Sequence, residues 1–323
     1  MTRRIVIVGG ETHIGEITQL AGRQLEIAGV LVRADQREQA ERLFGAPLYA
    51  DEETLYRQAA PQVAAIANEN DAKAAAILAA LEHECDAIVD KPLAIARAEQ
   101  ERVEAALRAH PRRRLLMLLT LRGQPLWAGM RRVVQSGQVG VPAFCHVRMA
   151  VQLKRAQRPP WFLDVRRSGG LFLDLLIHGL DQVEWVTGAR VVALTATTGN
   201  LSDPADVQLR DHAAVFCELD NGGSAVVEGQ RLMPASKGAD YRMLVAGTHG
   251  YAELDMAAGT LLVTAAQAAA APVTDLPPPC AVVADWLAGG QLVSQQDSLR
   301  ANLLALLATE AAAARCRLEV PPP

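Results

Sequence analysis

Arg3-Arg4-Ile5-Val6-Ile7-Val8-Gly9-Gly10 runs into Glu11-Thr12-His13-Ile14-Gly15 near the start of the chain. Ile5 to Val8 is an unbroken β-branched run, the pattern of a strand buried on both faces. It ends at two glycines, where the backbone can turn without a Cβ in the way. A helical stretch follows from about Ile14. The alternation then repeats. Gly29 to Val32, Val63 to Ala67, Asp86 to Val89 and Leu115 to Leu119 are strand candidates. Alanine-rich amphipathic segments lie between them, around Gln36–Phe44, Ala72–Glu82 and Ala96–Ala109. Apolar strands alternating with helices predict βαβ units and a parallel sheet. Residues 1–120 are therefore expected to form a Rossmann-type, dinucleotide-binding α/β domain.

Beyond residue 120 the pattern changes. Ala143, Cys145, Val147, Met149 and Val151 alternate with His146 and Arg148, the signature of a half-buried strand. Ala213 to Leu219 and Ser224 to Gln230 flank Asp220-Asn221-Gly222-Gly223, a hairpin signal. Tyr241 to Ala246 and Tyr251 to Asp255 flank Gly247-Thr248-His249-Gly250, a second one. Residues 265–279 are rich in alanine and proline and read as loop, and Leu299 to Arg315 reads as a closing helix. Residues 121–323 are expected to form an α+β domain with a large, mostly antiparallel sheet, which serves substrate binding and oligomerisation.

The chain has 323 residues, about half of them hydrophobic, with a formal charge of −4 and a pI of about 6.0. No basic footprint points to nucleic acid or an anionic membrane surface. The longest leucine-rich run, Leu115 to Leu121, is too short to span a bilayer. The first residues lack a signal-peptide pattern. Five scattered cysteines show no paired spacing, which fits a reducing cytoplasm better than disulfides or a zinc site.

A dinucleotide turn needs G-x-G-x-x-G after the first strand. Gly10 and Gly15 supply the first and third glycines, and Thr12 replaces the middle one. Gly10, Thr12, His13 and Ile14 are the candidates to face a pyrophosphate, with Thr12 offering a hydroxyl or an N-cap. The competing reading is a tight turn alone. Further on, Asp35 stands where an acidic residue would bond a ribose 2′-hydroxyl and select NAD. Arg33 and Arg37 flank it and favour the 2′-phosphate of NADP. The balance leans towards NADP, with NAD open.

Ser168-Gly169-Gly170 precedes a nearly continuous apolar helix in which Asp174, His178 and Asp181 recur at i, i+4 and i+7. That spacing predicts one polar line on one face. A carboxylate beside an imidazole fixes its tautomer, and histidine titrates near neutrality, so the pair suits proton transfer. A satisfied core Asp–His bond and a metal pair are the alternatives. No third and fourth metal ligand is evident, so no metal site is assigned.

Taken in order, these pieces resemble the Gfo/Idh/MocA oxidoreductases, the glucose-fructose oxidoreductase and inositol dehydrogenase group. The further matches are Asp90-Lys91-Pro92-Leu93, Ser136-Gly137-Gln138-Val139-Gly140 and Gly169-Gly170-x-x-x-Asp174-x-x-x-His178-x-x-Asp181-x-x-x-Trp185. The resemblance runs from Arg3 to about Val320. It implies hydride transfer between nicotinamide and a hydroxyl or ketone carbon of a sugar- or cyclitol-like substrate, in a homodimer or homotetramer. It implies that Lys91 bonds the reacting oxygen beside the nicotinamide, that His178 accepts the proton, and that Asp174 orients His178 and the substrate. Lys91 and Asn68 join the cofactor candidates. Arg122, Trp161 and Arg167 join Asp174 and His178 as substrate candidates. Asn68-Glu69 stands where the family has Thr-Pro, and Lys73 where it has histidine. The eccentric cofactor loops motivate a rival reading, a non-catalytic sensor of nucleotide or sugar that binds a partner protein; a redox-assisted hydrolase or lyase with tightly held NAD is a further alternative.

Overall fold

Six short parallel strands build the first sheet, in the computed structural model that describes residues 2–10 and 14–322. They are β1 (Arg3–Gly9), β2 (Leu25–Leu31), β3 (Leu48–Tyr49), β4 (Val63–Ala67), β5 (Asp86–Val89) and β6 (Leu115–Met117). Their order is β3-β2-β1-β4-β5-β6, the doubly wound order with its switch point between β1 and β4. Every residue of β4 and β5 is buried, as continuous apolar strands under helices on both faces require.

This unit comprises 1–119 together with 281–302, whereas the sequence reading ended its first domain at 120 and kept the later residues in the second. Side chains explain the return. The edge strand β6 carries backbone N–H groups that no neighbouring strand accepts, and such an edge must be covered. Leu115 N donates to Gln295 Oε1 at 3.0 Å and Met117 N to Ser298 Oγ at 3.0 Å. Both acceptors lie in the helix Gln295–Ala314, which starts four residues before the expected Leu299.

The second unit, residues 120–280 and 303–323, is built on a nine-stranded sheet. Its strands are β7 (Pro142–Ala150), β8 (Val191–Gly199), β9 (His212–Leu219), β10 (Ser224–Gln230), β11 (Asp240–Gly247), β12 (Gly250–Asp255), β13 (Thr260–Ala265), β14 (Ala271–Pro272) and β15 (Leu318–Glu319). The order is β14-β13-β12-β11-β7-β10-β9-β8-β15, with β7 and β10 the parallel pair. Both expected hairpins form. Cys145, Val147 and Met149 face the core, as the alternation predicts.

A helical segment lies across that inner face. A π-helical turn, Phe172–Leu176, continues into the α-helix Ile177–Thr187. Two glycines let helix and sheet approach. A Cβ on Gly179 would lie 2.6 Å from Val227 Cγ1, and one on Gly229 would lie 2.2 Å from Leu176 Cδ1. Either contact is closer than packed carbons tolerate.

Candidate functional site

In the first unit, the carboxyl ends of β1, β2 and β4 open into a cavity of about 240 Å³, lined by Val8, Gly9, Val32, Arg33, Gln36, Glu52, Asn68 and Glu69 among others. It sits at the switch point, where doubly wound sheets bind ligands. Gly9 has φ +83°, and a Cβ there would lie 2.4 Å from the Asn68 backbone. Only glycine fits. The Asn68 Oδ1 atom is buried and has no hydrogen-bond partner among the described residues. A buried acceptor without a donor is costly unless a ligand supplies one. Gly10 follows the strand, and a Cβ there would make only an ordinary contact, 3.6 Å from Val32 Cγ1. Thr12 and His13 lie outside the described residues, and Ile14 caps the short helix Gly15–Leu20 without a side-chain bond.

The three cofactor-specificity candidates meet partly. Arg33 Nε and Nη2 donate to the two carboxylate oxygens of Asp35 at 3.1 and 3.2 Å. Arg33 Nη1 donates to Glu69 Oε1. The Arg33 hydrogen bond and charge hold the Asp35 carboxyl below its usual range, against a small opposing effect of burial. Glu69 and Glu52 are carboxylates the sequence reading did not assign to the cavity. Glu69 was noted only as a departure from the family's Thr-Pro, and Glu52, the first residue of the helix Glu52–Ala59, carries no motif that singles it out.

Lys91 lies near the start of the loop after β5, in a cis Lys91–Pro92 bond, and is 8% exposed. The loop is fastened on both sides. Lys73 Nζ, fully buried, donates to the Lys91 carbonyl at 3.2 Å and to Asn70 Oδ1 at 2.7 Å. Asn302 accepts from Leu93 N at 2.9 Å, and its amide donates to the Ala94 carbonyl at 3.2 Å. Asn302 was not singled out in the sequence, where it is one of several polar residues in the first half of the helix Gln295–Ala314.

In the second unit, the helix does not carry the straight polar line that a 3.6-residue period predicts. The π-turn changes the backbone register between Asp174 and Asp181. Asp174 forms an ion pair with Arg231, which is nearly buried. Asp181 turns into the interior and holds Arg122, with Nη2–Oδ1 at 2.6 Å and Nε–Oδ2 at 3.0 Å. Both are buried. The structure therefore gives Arg122, expected at a substrate, a packing role between Asp181 and the Trp185 ring, 5.4 Å away. His178 is half-buried at the start of the α-helix.

A cleft beside the π-turn is lined by Phe162, Leu163, Ser168, Gly170, Asp174, Gln208, Leu209, Arg210 and Arg231 among others. Trp161, a substrate candidate, is 5% exposed and packs edge-on against Phe162. Its neighbour Phe162 lines the cleft instead. Arg158 and Arg231 stack on Phe162, 4.2 and 4.9 Å from the ring centre. Burial pulls the pKa of Arg158 down and that of Arg231 down further, with Arg158 adding to the latter. Arg167 is half-exposed and outside the cleft lining.

Residues 3–117 match the family described as "Oxidoreductase family, NAD-binding Rossmann fold", and residues 127–253 match the GFO/IDH/MocA C-terminal domain. This chain belongs to the Gfo/Idh/MocA oxidoreductase family. It is 30% identical over 168 residues to the uncharacterized oxidoreductase YrbE of Bacillus subtilis, covering 51% of this chain and 47% of that one. It is 28% identical over 165 residues to an inositol 2-dehydrogenase of Rhizobium meliloti, covering 50% and 47%. These matches span about half the length of the curated relatives. A levoglucosan dehydrogenase solved with NADH and L-sorbose shares the fold, with a TM-score of 0.84 at 17% identity over 99% of this chain and 100% of that one. Among the described residues no helix is long and apolar enough to cross a membrane.

Proposed function

We propose that this chain transfers hydride between a nicotinamide dinucleotide and a hydroxyl-bearing carbon of a sugar- or cyclitol-like substrate. The observation that carries the reading is the switch-point cavity. Gly9 leaves room that a Cβ would fill, and Asn68 presents an unsatisfied acceptor there, in a domain that matches an NAD-binding family. Gly9, Gly10, Arg33, Asp35 and Asn68 would hold the dinucleotide. When bound, it supplies the acceptor for two electrons and a hydrogen nucleus. The inositol dehydrogenase relative supports the substrate class.

The protein's part is position and proton transfer. Lys91, on a loop fixed by Lys73 and Asn302, offers an Nζ donor to the reacting oxygen. His178 takes the hydroxyl proton as the carbon loses hydride, leaving a carbonyl. Asp174, anchored by Arg231, orients the substrate from the same helical segment. Arg167 serves at most the rim of the cleft. The open face of the second sheet exposes Phe144 and Phe216, at 41% and 44%, and we assign that face to a second copy in a homodimer or homotetramer. Light scattering that shows a monomer at all micromolar concentrations overturns this assignment.

The test is oxidation of a panel of inositols and aldoses by wild type, K91A and H178A. Turnover on one panel member, with loss of at least about 100-fold in each variant and unchanged nucleotide binding in H178A, supports the assignment. Full activity in both variants overturns it.

A further inference from the structure

Glu69 has no part in the roles above, yet its carboxylate is mostly buried at the mouth of the switch-point cavity, its side chain 15% exposed. It sits just past the end of β4, while Arg33 sits just past the end of β2. The strand between them is β1. The Arg33–Glu69 ion pair therefore spans the end of the strand whose glycines form the nucleotide turn. The same guanidinium is gripped from its other side by both oxygens of Asp35.

We propose that Glu69 makes this chain selective for the dinucleotide without a 2′-phosphate by holding Arg33 in that three-membered charge cluster. The inference rests on the dinucleotide reading above. Arginine at this place is ordinarily a phosphate ligand, because its fork of donors matches the oxyanion. Here Nη1 is committed to Glu69, and Nε and Nη2 are committed to Asp35. The one guanidinium thus meets two carboxylates before a ligand arrives. Glu52 lines the same cavity, and burial raises its pKa. A 2′-phosphate would have to break the Arg33 pairs and then lie beside the released carboxylates. Like charges brought together at an interface cost enough to set specificity. A 2′-hydroxyl faces no such conflict, since it donates to a carboxylate.

The experiment is calorimetric titration of the full chain with NADH and with NADPH, for wild type, E69Q, E69A and the double variant R33A/E69A. Wild type is expected to bind NADH at least about tenfold more tightly than NADPH. E69Q and E69A are expected to tighten NADPH binding and to narrow the ratio by about tenfold. The double variant loses that gain, because Arg33 supplied it. Damage to the fold would weaken both nucleotides alike and leave the ratio in place. Tighter NADPH binding by wild type, or an unchanged ratio in E69Q and E69A, overturns the inference while the dinucleotide reading stands. Failure of wild type to bind either nucleotide overturns both.

Discussion

Asp174 and Arg231 are joined as an ion pair, one from the π-turn and one from the end of the β10 region, with Arg231 stacked on Phe162. The pair fixes where a carboxylate can point inside a narrow cleft. Arg231 is 5% and Asp174 is 15% exposed on their side chains, so removing either partner takes an opposite charge away from a largely desolvated group. R231M is expected to destabilise the protein by roughly 2 kcal/mol or more. The double variant R231M/D174N should recover at least about 1 kcal/mol of that loss. Urea midpoints of the four members of this cycle decide it. Strict additivity would mean the two side chains do not act together.

A second charged pair makes a different prediction. Arg122 and Asp181 meet through Nε and Nη2, both side chains buried, and Gln182 Nε2 also donates to Asp181 at 3.1 Å. The sequence places Asp181 in line with Asp174 and His178, but the geometry makes it part of the packing. D181N should cost about 3–5 kcal/mol by taking the carboxylate charge away from the buried Arg122 guanidinium. R122M/D181L should lie much closer to wild type, because a buried pair is replaceable by apolar groups. Thermal denaturation checks both. A neutral D181N would show that Arg122 finds another anion.

How much of this was legible beforehand follows from which forces act locally. β4 and β5 were read residue for residue, because an apolar strand bounded by polar residues needs no tertiary information. β8 and β13 were missed, since their burial alternates irregularly and one face is open. The π-turn was illegible because sequence spacing assumes a 3.6-residue period, and tertiary packing sets the departure from it. Arg231 and Asn302 gained their roles from partners far away in the chain. Phe162 was passed over for Trp161 because composition cannot tell which of two adjacent aromatics turns inward. The end of β1 at a glycine was legible, because it depends on residue type at short range.

The glycine that ends β1 offers a direct check on the cavity. G9A forces alanine to φ +83° and drives its Cβ to within 2.4 Å of the Asn68 backbone. The left-handed conformation alone costs about 1–2 kcal/mol, and the collision adds to it. The expected result is a lower melting temperature together with a loss of nicotinamide fluorescence enhancement on NADH addition. G45A is the matched control. Gly45 also has positive φ, at +56°, but a Cβ there meets nothing within 4 Å. G45A should cost only the conformational part and bind NADH as wild type does. Equal NADH binding by G9A and G45A would show that the β1–β4 approach does not shape the nucleotide site.

The acid limit of stability is tied to Asp211, in the loop before β9 that leads from the cleft residues Gln208, Leu209 and Arg210. Burial alone would raise its pKa. The backbone N–H of Ser202, the His212 ring, the Ser202 side chain and the backbone N–H of Leu201 outweigh that, and the carboxyl is pulled down to about 2. Ser202 N is 2.7 Å and Leu201 N is 2.9 Å from Oδ2, with His212 Nδ1 2.6 Å from Oδ1. A carboxyl whose folded pKa lies below its unfolded value stabilises the fold at pH above the unfolded value, about 3.9. That contribution fades as pH falls from there through about 2. At pH 7 it is fully present, so D211N should lower the melting temperature there by several degrees, because two backbone donors lose an anionic acceptor. Between pH 4 and pH 2 the difference between wild type and D211N should shrink, since the wild-type carboxyl is then being protonated as well. Melting curves of both proteins across that range read the effect. A gap that stays constant from pH 7 to pH 2 would mean that the charge on Asp211 does not hold the loop.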